Sequence, residues 1–207
     1  MPPRTRSARR ERPQARGAPF VLYVEGARDR DLLRIWAQRH SMTLSPLVRS
    51  AVILGGRQPH RAVEHFRGVR ATEREALGLC VLDRDHASAE RPGLEEPGLD
   101  FFVWRRRHIE SYLLVPEAIR RTVLDRKDRF RLERFLREQL PPRDDEAAYR
   151  KLDAKRLLGR DGALARAVGK PIPVSRIARA MRHDELHTDL RALLDRIRHG
   201  VGRLEPG

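Results

Sequence analysis

Residues 20–33 read F-V-L-Y-V-E-G-A-R-D-R-D-L-L, an apolar run that stops abruptly at a glutamate and a glycine. The five apolar or aromatic residues from Phe20 to Val24 predict a strand that is buried on both faces of a parallel sheet. The apolar spacing from Asp29 to Gln38 then predicts a helix. Glu25 therefore lies at the carboxyl end of a buried strand, where open α/β sheets place their ligand sites.

A pair of aspartates follows a second apolar run. Ala76 to Leu82 predicts another strand, and Asp83 and Asp85 come directly after it. Because side chains alternate along an extended segment, these two carboxylates point the same way. If the two strands are parallel neighbours, the aspartates meet Glu25, and three carboxylates at close quarters need a cation. The pattern predicts a hard, oxygen-liking ion, Mg²⁺ or Mn²⁺.

The order of these motifs resembles a known metal-binding module. V-E-G-x-x-D followed by L-D-R-D is similar to the TOPRIM domain of topoisomerases, primases and several nucleases. The segment F-F-V-W-R-R-R-H-I-E-S-Y-L-L, residues 101–114, is similar to the corresponding segment of the OLD (overcoming lysogenization defect) nucleases and their small stand-alone relatives. The resemblance spans residues 20–160.

The resemblance implies a metal-dependent nuclease that hydrolyses phosphodiester bonds, with DNA favoured over RNA as the substrate. Lys155 corresponds in order to a lysine of OLD-type nucleases that would offset charge on the scissile phosphate. Lys151 and Lys170 compete for the same role. Glu110 is implied to hold the metal or to support a ligand, although its position also suits a first-turn glutamate favoured by the helix dipole. The implied metal-binding residues are Glu25, Asp29, Asp83, Asp85 and Glu110.

The resemblance also bears on partners. The chain lacks the ATPase half of full-length OLD proteins, and the small relatives work with a separate ABC-type ATPase subunit, often in defence against phage. A homodimer is a further expectation. Two other functions stay open: an inactive TOPRIM-like module that binds nucleic acid or a partner, and a nuclease of the same fold that processes RNA.

Net charge favours a polyanionic partner. The chain carries 44 basic and 29 acidic residues, a formal charge of +15. Since all but four of the basic residues are arginine, codon usage in a GC-rich genome is an alternative explanation. Arg105, Arg106 and Arg107 follow a predicted strand beside the carboxylates, which suits a phosphate backbone. A solvated turn is the alternative.

The length of 207 residues suits one α/β domain with a helical extension. We expect a disordered basic tail at 1–19, a TOPRIM α/β domain at 20–115 and a helical extension at 116–207 that completes the site. The single cysteine, Cys80, excludes a disulfide framework and favours a reducing compartment. No apolar run approaches the roughly 20 residues of a membrane span, and no signal peptide is seen. These features predict a cytoplasmic protein without a membrane partner.

The remaining patterns predict a TOPRIM-like α/β fold, a mostly parallel four-stranded sheet flanked by helices with a C-terminal helical extension. Gly55 and Gly56 predict a tight turn, although they also suit close approach of a phosphate. His183 and His187 are predicted on one helix face, as a zinc pair or a solvent-facing pair. The other predicted strands are Val48–Leu54 and Leu99–Trp104, and the other predicted helices are Pro59–Gly68, Ile109–Leu114, Pro116–Asp125, Arg129–Leu140, Asp144–Leu158, one capped by Ser175, and Leu186–Ile197.

Overall fold

A computed structural model of the protein describes residues 19–40, 43–84 and 93–202. The predicted tail, apart from its last residue, and Asp85 lie outside these ranges. No helix within the described ranges combines the length and the hydropathy that a membrane crossing requires.

The centre of the fold is a four-stranded sheet in which all strands are parallel. Its order is β2-β1-β3-β4, and Val24 at the end of β1 lies opposite Val81 of β3. This confirms the predicted TOPRIM-like α/β fold class. From β1 the chain crosses to β2 on one side of it, and it then returns to β3 on the other side of β1. The switch point of the sheet, where the direction of the connections reverses, therefore lies between β1 and β3. The strands are β1 Phe20–Val24, β2 Val52–Ile53, β3 Leu77–Leu82 and β4 Leu99–Val103.

Helices cover both faces of the sheet. The face that carries Leu22 and Leu79 packs against α1 Ala27–His40 and against the C-terminal helices, and the opposite face, with Tyr23 and Cys80, packs against α3 Pro59–Thr72. Cys80 is therefore an ordinary core residue, as predicted. The C-terminal helices are α4 Pro116–Thr122, α5 Arg126–Gln139, α6 Glu146–Lys151, α7 Ala154–Leu158, α8 Ala163–Val168, α9 Val174–Ala180 and α10 Thr188–Gly202, and two 3₁₀ helices span Ile109–Leu113 and His183–Glu185.

The predicted strand Val48–Leu54 is wrong over most of its length. Leu44–Arg49 forms helix α2, in which Leu44 and Val48 face the core, and only two residues, Val52 and Ile53, pair with β1. A short apolar run has no periodicity that separates a buried strand from a buried helix. Pro46 is compatible with this helix because it lies in the first turn, where a backbone amide has no partner within the helix.

Three further predictions need correction. The helix predicted over Asp144–Leu158 breaks before Asp153, whose carboxylate caps α7 by accepting from the Arg156 amide. His183 lies in a 3₁₀ helix and His187 precedes α10, so the two do not share a helix face as a zinc pair would. Pro173, not Ser175, precedes α9. The segment Ile109–Leu113 is helical as predicted, but of the 3₁₀ type.

Candidate metal centre

An open cleft of about 530 Å³ lies at the carboxyl ends of β1 and β3, at the switch point of the sheet. Its polar side chains come from several elements, because the strand ends, the first turn of α1, the 3₁₀ helix and α7 all meet there. The structure thus brings five of the predicted site residues to one cleft: Glu25, Asp29, Asp83, Glu110 and Lys155.

A hydrogen bond joins the two strand ends directly. Oε1 of Glu25 accepts from the Asp83 amide at 2.7 Å. The main-chain carbonyl of Glu25 accepts from the amides of Gly55 and Gly56, at 3.0 and 2.9 Å. Both glycines have positive φ, 80° and 121°, which other residues rarely adopt. The glycine pair therefore forms a tight turn that supports Glu25, and its amides are not directed at a phosphate.

Asp83 contacts three neighbouring groups of the protein through its carboxylate. It is 6% exposed, and it accepts from the Ile109 amide at 3.2 Å and from Lys155 Nζ at 3.1 Å. Nδ1 of His108 lies 3.3 Å from Oδ2 of Asp83, the oxygen that also accepts from Lys155. Burial alone would raise the pKa of Asp83, but the hydrogen bonds with His108 and Lys155 and the positive charge of Lys155 hold it below the ordinary value. Asp83 is therefore ionised at neutral pH.

Glu110 is buried and only half satisfied. It is 1% exposed; Oε1 lies 3.5 Å from Nη1 of Arg28, and Oε2 is buried without a hydrogen-bond partner. A buried carboxylate oxygen without a donor is unfavourable unless a cation or water satisfies it. This orphaned oxygen at the edge of a carboxylate cleft fits a hard divalent ion.

Asp29 is partly buried and lies near other negatively charged carboxylates. Its Oδ2 accepts from the Gly26 amide at 2.8 Å. Burial, with further contributions from the nearby charges of Asp83 and Glu110, raises the pKa of Asp29 from 3.8 to about 6. A bound divalent ion would relieve this repulsion, so the donor set suits Mg²⁺ or Mn²⁺ chemically. No three His, Cys, Asp or Glu side chains of the described residues already stand close enough to hold an ion, and Asp85 is not among those residues.

Lys155 is the lysine that reaches the cleft. Burial lowers its pKa, but Asp83 and Glu110 outweigh burial and raise it, so that the ammonium is retained. Lys170 instead pairs with Asp128 at 2.9 Å. The position of Lys155 depends on Asp153, the cap of α7, which in turn pairs with Arg107 at 3.1 Å.

The three consecutive arginines have different surroundings. The side chain of Arg105 is 67% exposed and lies 3.4 Å from Asp189, and that of Arg107 is 25% exposed. Arg106 is buried: it forms hydrogen bonds with Glu146 and with the Ser111 carbonyl, and it lies over the rings of Tyr112 and Tyr149. We correct the prediction for Arg106, because its guanidinium faces the interior and is unavailable to a phosphate backbone.

Sequence reasoning missed two residues at the cleft, His108 and Arg28. His108 directly follows the three arginines, and Arg28 occupies one of the two variable positions of the motif V-E-G-x-x-D, between Gly26 and Asp29. The sequence shows no pattern that singles out either residue, because their contacts with the carboxylates depend on the direction of their side chains.

Comparisons with known proteins gave structural matches only. No protein-family model and no curated protein sequence matches the chain. The C-terminal region of the Xanthomonas campestris pv. campestris OLD protein matches with 16% identity and a TM-score of 0.48, over 90% of this chain and 95% of that one. The C-terminal region of the Burkholderia pseudomallei OLD protein matches with 20% identity and a TM-score of 0.47, over 89% and 98%. The structure is thus similar to the C-terminal regions of OLD proteins.

Proposed function

We propose that the protein is a divalent-metal-dependent nuclease that hydrolyses phosphodiester bonds, with DNA favoured as the substrate. The observation that carries the proposal is the cleft itself, in which Glu25, Asp83 and Glu110 converge from three separate elements beside Lys155. Glu25, Asp29, Asp83 and Glu110 would hold Mg²⁺ or Mn²⁺, together with Asp85. Such a grouping of carboxylates with a lysine suits phosphoryl chemistry better than a purely structural role.

The residues of the cleft would have different roles in cleavage. When bound, the metal held by these carboxylates would supply a water of lowered pKa and would stabilise the attacking and leaving oxygens at phosphorus. Lys155, held at the cleft by Asp83, would offset the negative charge that builds on the phosphate. The exposed Arg105 and the partly exposed Arg107 would bind the backbone of the polynucleotide.

A cleavage assay tests this proposal. Supercoiled plasmid and a structured RNA are each incubated with the protein in Mn²⁺, with and without EDTA. We expect nicking or linearisation of the plasmid in Mn²⁺ only, and we expect Asp83→Ala to abolish cleavage while nucleic-acid affinity stays nearly intact. Preferential cleavage of the RNA would favour the RNA-processing alternative, and unchanged cleavage by Asp83→Ala would overturn the mechanism.

The bonding of Asp83 favours a second candidate, a binding module without activity. Both of its oxygens already accept hydrogen bonds from protein groups, and Lys155 balances its charge. Such a module would bind DNA equally well in EDTA and in Mn²⁺, and it would bind no metal. In a nuclease, Lys155 would have to give up part of its contact with Asp83 so that this carboxylate could bind the ion.

We extend the proposal to the partners that the motif resemblance implies. A separate ABC-type ATPase subunit would regulate the nuclease, in a phage-defence system, and the nuclease would act as a homodimer. The resemblance of residues 20–160 supports this extension. Light scattering of the purified protein tests the homodimer, and copurification with the product of a neighbouring ATPase gene tests the ATPase subunit.

A further inference from the structure

Arg28 covers the buried carboxylate of the cleft. It lies in the first turn of α1, and its side chain is 59% exposed, whereas that of its partner Glu110 is 2% exposed. The contact joins Nη1 of Arg28 to Oε1 of Glu110 at 3.5 Å, the far end of hydrogen-bonding distance. The guanidinium therefore stands at the boundary between solvent and the carboxylate, and it is weakly held.

Among the described residues, two cationic side chains line the cleft, and each contacts a different carboxylate. Lys155 lies on Asp83, and Arg28 lies on Glu110. Both side chains are flexible and about half exposed, at 47% and 59%. A divalent ion that bound both carboxylates would occupy the region of negative charge these side chains now neutralise, and it would repel them toward solvent.

We infer that Arg28 is a phosphate-binding residue of this site, held on Glu110 until a divalent ion takes that carboxylate and then released to the backbone of the nucleic acid. The inference rests on the proposed metal site and adds a residue and a switch to it. A guanidinium binds phosphate through two parallel hydrogen bonds, which a single long contact to Glu110 does not provide. Release from Glu110 leaves no unpaired buried charge, because the divalent ion replaces the guanidinium as the partner of this 2% exposed carboxylate.

The test compares Arg28→Ala with a matched control on the same helix. Arg30 is the next arginine along α1; it pairs with Asp31 at 3.9 Å and does not line the cleft, so Arg30→Ala removes equal charge outside the site. The affinity for a labelled DNA duplex is measured by fluorescence anisotropy, once in EDTA and once in Ca²⁺, an ion that takes the same oxygen ligands. Mn²⁺ affinity is measured separately by calorimetry.

Two results are expected for Arg28→Ala. Its DNA affinity should equal that of the wild type in EDTA and fall roughly tenfold in Ca²⁺, the loss of one charge-assisted contact. Its Mn²⁺ affinity should rise about threefold, because a positive charge beside the ion has been removed. Arg30→Ala should show neither the difference between the two buffers nor the tighter Mn²⁺ binding. Arg28→Lys should restore part of the DNA affinity in Ca²⁺.

The outcomes separate this inference from the proposed function. If the wild type binds Mn²⁺ but Arg28→Ala loses DNA affinity equally in both buffers, Arg28 is a fixed phosphate contact and the switch is wrong. If Arg28→Ala loses no affinity in either buffer, or its Mn²⁺ affinity does not rise, the inference is also wrong. If the wild type binds no Mn²⁺, the metal site itself fails.

Discussion

Individual carboxylates at the cleft are unequal in their protonation. Asp83 is held ionised by His108 and Lys155, whereas burial and neighbouring charge raise the pKa of Asp29 to about 6. The unfolded chain releases this proton near the ordinary value of 3.8, so the folded state binds more protons between these two pH values. The free energy of unfolding should therefore fall as the pH rises from about 3.8 to about 6. Above that range the whole loss of stability is present.

Asp29→Asn tests this unequal protonation. The amide keeps an oxygen for the Gly26 amide but carries no charge, so above pH 6 the variant should be more stable than the wild type by roughly 1 to 3 kcal/mol. The advantage should vanish near pH 4, where Asp29 is protonated in the folded wild type. Urea unfolding in EDTA across this range measures the difference. A constant difference at all pH values would contradict the assigned cause.

The sequence predicted those site residues whose position follows from the backbone. Glu25 and Asp83 follow directly from strands, and parallel strand ends meet at one edge of the sheet. Glu110 and Lys155 needed the family resemblance, since nothing in their spacing joins them to the strands. Side-chain direction was not predictable, which is why Arg106 was assigned to the surface although Glu146 and two tyrosines bury it.

At the scale of elements, the short helix α7 positions Lys155. Five residues are too few to form a stable helix alone, so its placement depends on packing and on the Asp153 cap. Asp153 also pairs with Arg107 and thereby links the helix to the segment after β4. The sequence missed this cap because it predicted a continuous helix from Asp144. A segment whose composition favours helix throughout does not show where the helix breaks and the chain changes direction.

Asp153→Ala should therefore affect catalysis more than stability. Loss of the cap should lower the free energy of unfolding by about 1 kcal/mol, and the displaced Lys155 should lower kcat for DNA cleavage at least about tenfold. DNA affinity should not fall, because Arg107 loses its partner Asp153 and becomes more available to the phosphate backbone. Asp145→Ala is the matched control, because Asp145 caps α6 by the same type of bond, to the Ala148 amide at 2.9 Å, and does not contact Lys155. An equal fall in kcat in both variants would mean that the cap of α7 has no special role.

At the scale of the whole molecule, the C-terminal helices complete the domain that the sheet begins. α10 packs against β1 and β3, and α9 packs against α1, so one hydrophobic core contains residues from both halves of the chain. The four-stranded parallel sheet was predictable from apolar runs and their terminating residues. The packing of the C-terminal helices was not, because amphipathic patterns show which face is buried but not against which partner.

Gly200→Ala tests how closely α10 packs against the sheet. A Cβ at Gly200 would lie 2.1 Å from the ring of Phe20 at the start of β1, so the ring or α10 must shift, at a cost of about 1 to 3 kcal/mol. The control is Gly68→Ala in α3, where an added Cβ meets nothing within 4 Å and the higher helix propensity of alanine should stabilise the protein by up to about 1 kcal/mol. Urea midpoints compare the two variants. Equal shifts would show that α10 does not pack closely on the sheet.

The central claim is that carboxylates from separate elements hold one divalent ion, and Mn²⁺ binding to the purified protein, measured by calorimetry, tests it most directly. The wild type should bind Mn²⁺, and Glu25→Gln, Asp83→Asn and Glu110→Gln should each weaken the affinity at least about tenfold while the proteins remain folded. A wild type that binds no Mn²⁺, or variants that bind it as tightly as the wild type, would contradict the account.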